Sequence, residues 1–234
     1  AGQTAPLLHS FLRDVTATAD SGTRVYDGTT AAYDGTNGVL GVTYSATPDS
    51  HLLGTAVVSS ASKNAGTQSV SVTGLYSDQL GYDIATVDGS LIITAKAITV
   101  SGLSSQTKVY DGTRTAAVNG TAALSTETAG TGSSSDGKAY TGDTVSLTGT
   151  AVGTFNSKDV ATASTVAFTG LSLTGADAGN YTLTQNADAT GVSITAKAIT
   201  VSGLSSQNKV YDGTRTAVVN GTAALSTETA GTGS

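Results

Sequence analysis

Cysteine, methionine and tryptophan are missing from this 234-residue sequence, and proline occurs only twice. Without cysteine no disulfide can staple the fold, and no thiolate serves as nucleophile or soft metal ligand. Export stays open, because packing alone can hold a secreted domain. Histidine is scarce as well: His9 and His51 stand alone, with no second His or Cys nearby to build a general base or a zinc site. Charged residues make up 12% of the chain and the net charge is −6. The clustered Lys and Arg that nucleic acid or an anionic membrane surface requires are therefore absent. No run approaches the ~20 apolar residues of a membrane-spanning helix. Residues 1–20 hold a short apolar stretch (Leu7, Leu8, Phe11, Leu12), but His9 and Arg13 interrupt it and it has no basic lead, so it does not read as a signal peptide. Nothing selects a pair of carboxylates for glycoside chemistry, and the chain is not expected to be an enzyme. The aspartates Asp136, Asp143, Asp159, Asp177 and Asp188 are scattered, unlike the clustered Asp of a calcium loop. No metal or other cofactor is expected; calcium at a module joint is the minor alternative.

What the sequence has is a repeat. Ile93 to Ser133 returns at Ile194 to Ser234 with two changes, Thr107 to Asn208 and Ala117 to Val218, so 39 of 41 positions agree at an offset of 101. A weaker copy begins at Arg24, 84 residues ahead of the matching Lys108. Solenoid units run about 20–50 residues, whereas this period is that of a whole small domain. The expected organisation is residues 1–14 as a lead or the end of a preceding unit, 15–97 as module one, 98–198 as module two, and 199–234 as an incomplete third. The sequence stops inside that third copy, as a fragment of a longer protein would.

Gly, Thr, Ala and Ser dominate, and apolar residues alternate rather than recurring at 3.6. VTATAD from Val15, the alternation of Leu40, Val42 and Tyr44, LLGTAVVSS, SVSVTGL and YDIATV read as strands. With only 12 aromatic residues, 9 of them Tyr, the cores are expected to rest on Val, Ile, Leu and Ala. The Gly/Ser/Thr-rich stretch 125–142 reads as an exposed loop or hairpin tip. ITAKAITV reads as one extended segment passing from module to module, so the joints are short and stiff.

Asp177-x-Gly-x-Tyr181 and Asp78-x-x-x-Tyr82 have the spacing of the corner that opens strand F in immunoglobulin-like sandwiches. The expected fold is thus all-β: tandem Ig-like sandwich modules forming an elongated rod, with a β-grasp-like module or another sandwich topology as alternatives. The recurring Tyr26-Asp27-Gly28, Tyr110-Asp111-Gly112 and Tyr211-Asp212-Gly213 read as turn chemistry more than as a site: Gly takes positive φ, Asp caps amides, and Tyr packs as a lid with a wet hydroxyl. Tyr33, Tyr76 and Tyr140 are the candidate stacking rings for carbohydrate. Lys96 and Lys197 lie on terminal strands, where an amide to Asn or Asp could stiffen a cysteine-free sandwich, but spacing alone singles out no partner.

The segments KVYDGTRTAAVNGTAAL, GDTVSLTGTAVGTFNSKDV, FTGLSLTGADAGNYTL and SITAKAITV, in that order, resemble the YDG-type repeat of giant filamentous-haemagglutinin-like adhesins of Gram-negative bacteria. The resemblance implies two-partner export through an outer-membrane transporter, display at the bacterial cell surface or release into a biofilm matrix, and a stalk of many modules. It assigns no catalytic residues. The expected function is a structural spacer of an extracellular adhesin. The alternative is that the modules themselves bind exopolysaccharide, or like modules on neighbouring cells.

Overall fold

The computed structural model describes residues 12–35, 38–78, 81–130 and 134–231, so most of the expected lead at 1–14 lies outside the described residues. The described residues are all β apart from one 3₁₀ turn, Ala178–Asn180. Module one supplies β1 Arg13–Ala19, β2 Gly22–Val25, β3 Tyr33–Asp34, β4 Gly38–Val39, β5 Val42–Tyr44, β6 Leu52–Ser60, β7 Gly66–Ser77, β8 Tyr82–Val87 and β9 Gly89–Thr94. Module two begins one residue later with β10 Lys96–Ser104, followed by β11 Lys108–Val109, β12 Thr115–Ala116, β13 Asn119–Leu124, β14 Thr126–Glu127 and β15 Ala139–Tyr140. It continues through β16 Ser146–Phe155, β17 Thr165–Thr174, β18 Tyr181–Thr184, β19 Ala189–Thr190 and β20 Ile194–Thr195. The third copy supplies β21 Val201–Ser206 and β22 Val219–Leu225.

Period-2 patterning places the core. Val15, Ala17 and Ala19 of β1, Leu91 and Ile93 of β9, and Ile98 and Val100 of β10 all point inward while their neighbours face out. Module one pairs as β5-β1-β8 and β2-β9-β7-β6; module two repeats the plan as β13-β10-β18 and β12-β16-β17-β19, with β11-β20 and β14-β15 beside them. Among the described residues every ladder joins strands of one sequence module.

Two of these pairings are not those of an immunoglobulin sandwich, whose sheets are antiparallel. β1 runs parallel to β8 (Val15 opposite Ile84), and β2 runs parallel to β9 (Gly22 opposite Leu91). Module two has the same parallel pairs, Ile98 opposite Leu183 and Lys108 opposite Ile194. The first strand of a module thus lies beside the strand after the corner motif, in the same direction.

The proximity of backbone segments divides the chain differently from the sequence modules. One compact unit is Ala1–Ser101, Ala122–Gly149 and Leu171–Gln185; the other is Gly102–Thr121, Thr150–Gly170 and Asn186–Ser234. These units do not follow limits at 97/98 and 198/199, because parts of module two supply the side chains that close the core of module one. In the first unit that core gathers Ala17, Tyr26, Val70, Leu91, Ile93, Ile98, Tyr140 and Tyr181. In the second, Phe155, Val166, Phe168 and Ile194 pack with Ala116 and Ala163. Aromatic rings, though few, are central to both, beside the Val, Ile, Leu and Ala on which the cores were expected to rest.

Strands β10 and β13 pass from one unit to the other at a pair of glycines. Gly102 and Gly120 have φ of +85° and +87°, and a Cβ on Gly120 would sit 2.1 Å from the Gly102 carbonyl oxygen. Only glycine permits that approach.

A recurring module junction as the candidate functional site

The three Tyr-Asp-Gly turns share one local construction. Asp27, Asp111 and Asp212 each accept the amide of the Thr two residues on at 2.9 Å, which closes the turn. A cation three residues ahead of each Asp locks it: Arg24 on Asp27, Lys108 on Asp111 at 2.7 Å, and Lys209 on Asp212 at 2.7 Å. The lysine at 108 also reaches the carbonyls of Thr113 and Thr115, at 2.9 and 2.8 Å. The Lys108 hydrogen bond, with the Thr113 amide, holds Asp111 down to about 2. The spacing [Lys/Arg]-x-x-Asp, legible in the sequence at 24–27, 108–111 and 209–212, is the signal for this lock.

The turn is also a docking surface for the following module. The Gly130 amide donates to the Asp27 carbonyl at 2.9 Å, and a Cβ on Gly28 would meet the Ala129 methyl at 2.8 Å. One repeat later the Gly231 amide donates to the Asp111 carbonyl at 2.8 Å, and a Cβ on Gly112 would meet the Ala230 methyl at 2.9 Å. Gly28 and Gly112 have φ of +78° and +79°, so each position demands glycine for its backbone and again for the neighbour it receives. Thus Glu-Thr-Ala-Gly at 127–130 and at 228–231 is the counterpart of Tyr-Asp-Gly. Sequence reading missed this pairing, because 102 positions separate Asp27 from Ala129.

In the first unit the junction is completed by a buried polar cluster. Tyr26 and Tyr181 both donate to one oxygen of Asp143, at 2.7 and 2.6 Å, and Lys63 donates to the other at 2.6 Å. The Asp143 side chain is 4% exposed. Burial pushes Asp143 up, but Lys63 and the two hydroxyls outweigh it and hold it below the usual carboxylate range. Burial and the bond to Asp143 push Tyr26 and Tyr181 above the usual tyrosine range. The Tyr26 ring meets Tyr181 edge-on at 5.4 Å and Tyr140 at 5.8 Å. Beside them the Ala65 amide donates to Asn180 Oδ1 at 2.8 Å, and Asn180 Nδ2 donates to Asn64 at 3.2 Å.

Several expectations change at this cluster. Tyr26 is no lid with a wet hydroxyl: it is fully buried, and its hydroxyl is bound to Asp143. Tyr140 is no exposed stacking ring. It is 2% exposed on β15, which pairs with β14, so 125–142 is partly core rather than a free loop. Tyr82 and Tyr181 do not bond their own corner as an immunoglobulin tyrosine does. Tyr82 Oη accepts the Asp49 amide at 3.1 Å, and Tyr181 Oη accepts the Tyr140 amide at 2.9 Å. Asp78 meets His51 at 2.7 Å, and Asp177 accepts the Thr144 amide at 2.8 Å. Of the other candidate rings, Tyr76 is exposed, and Tyr33 gives its hydroxyl to Asp27 at 2.9 Å. Tyr33 lines a cavity of about 460 Å³ with Arg24, Asp34 and Thr94. Among the described residues no group of three or more His, Asp or Glu is placed to hold a metal ion, and no helix is long and apolar enough to cross a membrane.

The second unit shows the same junction half built. Tyr110, Asp111, Asp159, Lys197, Ile199 and Glu228 line a cavity of about 650 Å³. Of their counterparts in the first unit, Tyr26, Lys96 and Ile98 are buried, with the Tyr26 ring against Tyr140 and Tyr181, and Asn64 is bonded by Asn180. No described residue docks on the third turn: Tyr211 is 92% exposed, and a Cβ on Gly213 would have no neighbour within 4 Å.

The described chain is therefore an all-β protein with a repeated Tyr-Asp-Gly turn, the first two of which receive an Ala-Gly from the following copy. A YDG domain is found at residues 94–190, which coincides with the second sequence module. No curated protein and no solved structure matches the chain.

Proposed function

We propose that the chain is a load-bearing spacer: a segment of the stalk of a large extracellular bacterial adhesin, built from tandem sandwich-like modules stacked as a rod. The observation that carries this reading is the repetition of one joint, Asp27–Gly130 and then Asp111–Gly231, with the same amide-to-carbonyl bond and the same alanine against the same glycine. A binding site needs to occur once. A joint that recurs at the module period serves a chain whose product is length. The one-residue step from β9 to β10 leaves little room for a hinge. The resemblance to filamentous-haemagglutinin-like adhesins supplies the setting: export through an outer-membrane transporter and a place on the cell surface or in the biofilm matrix.

Small-angle scattering of this chain, and of one carrying residues 98–198 in duplicate, tests the reading. A spacer lengthens by a fixed increment, ~30–40 Å for one module's extended strands and their loops. A longest dimension that stays unchanged while the particle thickens rejects it.

A second reading, direct binding of exopolysaccharide, is favoured by the Tyr33 cavity beside Arg24. Arg24 Nε there is buried without a hydrogen-bond partner. Glycan-array binding that disappears in Tyr33→Ala would support it.

A further inference from the structure

Lys96 is the one lysine among the described residues that is wholly buried, with its side chain 0% exposed. A lysine is almost never buried to that degree unless it is paired. Its partners are unusual in number and placement. Nζ lies 3.0 Å from Asp136 Oδ1 and contacts Glu127 Oε1, while the Tyr140 ring covers it at 4.2 Å. Glu127 and Asp136 thus share the one ammonium between them. The backbone fixes all three side chains: Lys96 opens β10, Glu127 on β14 is opposite Tyr140 on β15, and the Thr99 amide donates to the Gly137 carbonyl at 2.8 Å.

We propose that Lys96 and Asp136 become joined by an intramolecular amide, with Glu127 as the proton carrier. The Lys96 ammonium gives one proton to Glu127. The free amine then attacks Asp136 Cγ, which forms the C–N bond. A carboxyl C–O bond breaks, and the departing oxygen takes protons from Glu127 and from the attacking nitrogen to leave as water. An ammonium and a carboxylate are consumed, one amide and one water are produced, and Glu127 ends as it began. No other reactant is required. Nζ stands 3.0 Å from a carboxyl oxygen of Asp136, and held proximity of this kind is what gives intramolecular reactions effective molarities of about 10⁵–10⁸ M. Burial of the Lys96 ammonium under Tyr140 turns the loss of its charge into a gain, because an unsolvated ammonium is costly to maintain.

The placement gives the bond a purpose. It would tie the first strand of module two to the segment that delivers Tyr140 and Asp143 into the junction, a covalent brace in a chain that has no cysteine. Lys197 pairs in the same way with Glu228, the counterpart of Glu127.

The test is the intact mass of the denatured full chain, followed by peptide mapping. The expected mass is one water below that of the sequence, with a branched peptide joining the segments that carry Lys96 and Asp136. Glu127→Gln and Lys96→Arg keep the packing and should restore the full mass. Asp136→Asn should still cross-link, losing ammonia instead of water. A wild-type mass equal to the sequence mass overturns the proposal. So does a lost water that maps to a succinimide at an Asp-Gly turn with no branched peptide.

Discussion

Lys96-Ala-Ile-Thr-Val100 and Lys197-Ala-Ile-Thr-Val201 are the same five residues in two surroundings. In the first unit Ile98 and Val100 are 0% and 1% exposed; in the second Ile199 and Val201 are 63% and 59% exposed. The local sequence is identical, so it does not decide burial. What decides is whether Tyr140, Asp143, Asn180 and Tyr181, or residues like them, arrive from further along the chain. At roughly 1.5–3 kcal/mol for each fully buried aliphatic side chain, these two positions alone separate the units by several kcal/mol. In the first unit Tyr26 of module one is likewise closed by Tyr140 and Tyr181 of module two.

Substitutions at matched positions break or sharpen this contrast. The largest effect is expected at Asp143, which has no counterpart among the residues of the second unit. Asp143→Ala leaves Lys63, Tyr26 and Tyr181 without their shared acceptor, and about 2–4 kcal/mol should be lost in denaturant unfolding. That range is discounted from the usual 3–5 for a broken buried pair because Lys63 is about a third exposed. Next come the junction glycines. Gly28→Val forces positive φ on a branched residue and drives it into Ala129, for about 2–3 kcal/mol. Gly213→Val meets no neighbour and should cost roughly 1 kcal/mol from its backbone alone. Equal losses at the two sites would mean that docking on the turn contributes nothing. Smaller still, Tyr26→Phe should lose about 1.5 kcal/mol with its hydrogen bond to a carboxylate, whereas Tyr211→Phe should stay within ~0.5 kcal/mol.

Acid should remove a carboxylate contribution from each unit, that of Asp143 in the first and that of Asp111, held down to about 2, in the second. Asp143 is held below its unfolded value, so its contribution is fully present above about pH 4 and is lost as pH falls through the lower folded value. Thermal melts between pH 5 and pH 2 should show the first unit losing stability across that range. Asp143→Asn, though less stable throughout, should remove this part of the slope.

How much of this was legible in the sequence follows from the range of each contact. The strands at 15–19, 52–60 and 82–87 are written in local alternation, and the Asp-Gly turns in two adjacent residues. The module period is written in the repeat itself. The parallel ladders are not, because alternation fixes which face is buried but not a strand's direction. Tyr140 was unreadable as core: it sits in a two-residue strand inside a Gly/Ser/Thr-rich stretch, and its burial is created by Tyr26, 114 positions earlier. The Asp177 to Tyr181 spacing matched a corner motif, yet its tyrosine reaches Asp143 and the Tyr140 amide. That spacing records a turn and says nothing of the hydroxyl's partner. The Lys96 cluster draws on positions 31 and 40 residues apart, which no local pattern joins.

The most direct measurement is hydrogen exchange on a chain extended by a copy of residues 134–198 after Ser234. The added copy would bring the missing tyrosines, aspartate and asparagine to the cavity at Tyr110. The account predicts that the amides of Ile199, Thr200 and Val201 slow to the rates of Ile98, Thr99 and Val100. If they keep exchanging as in the original chain, the junction does not recur and closure of one module by the next is contradicted.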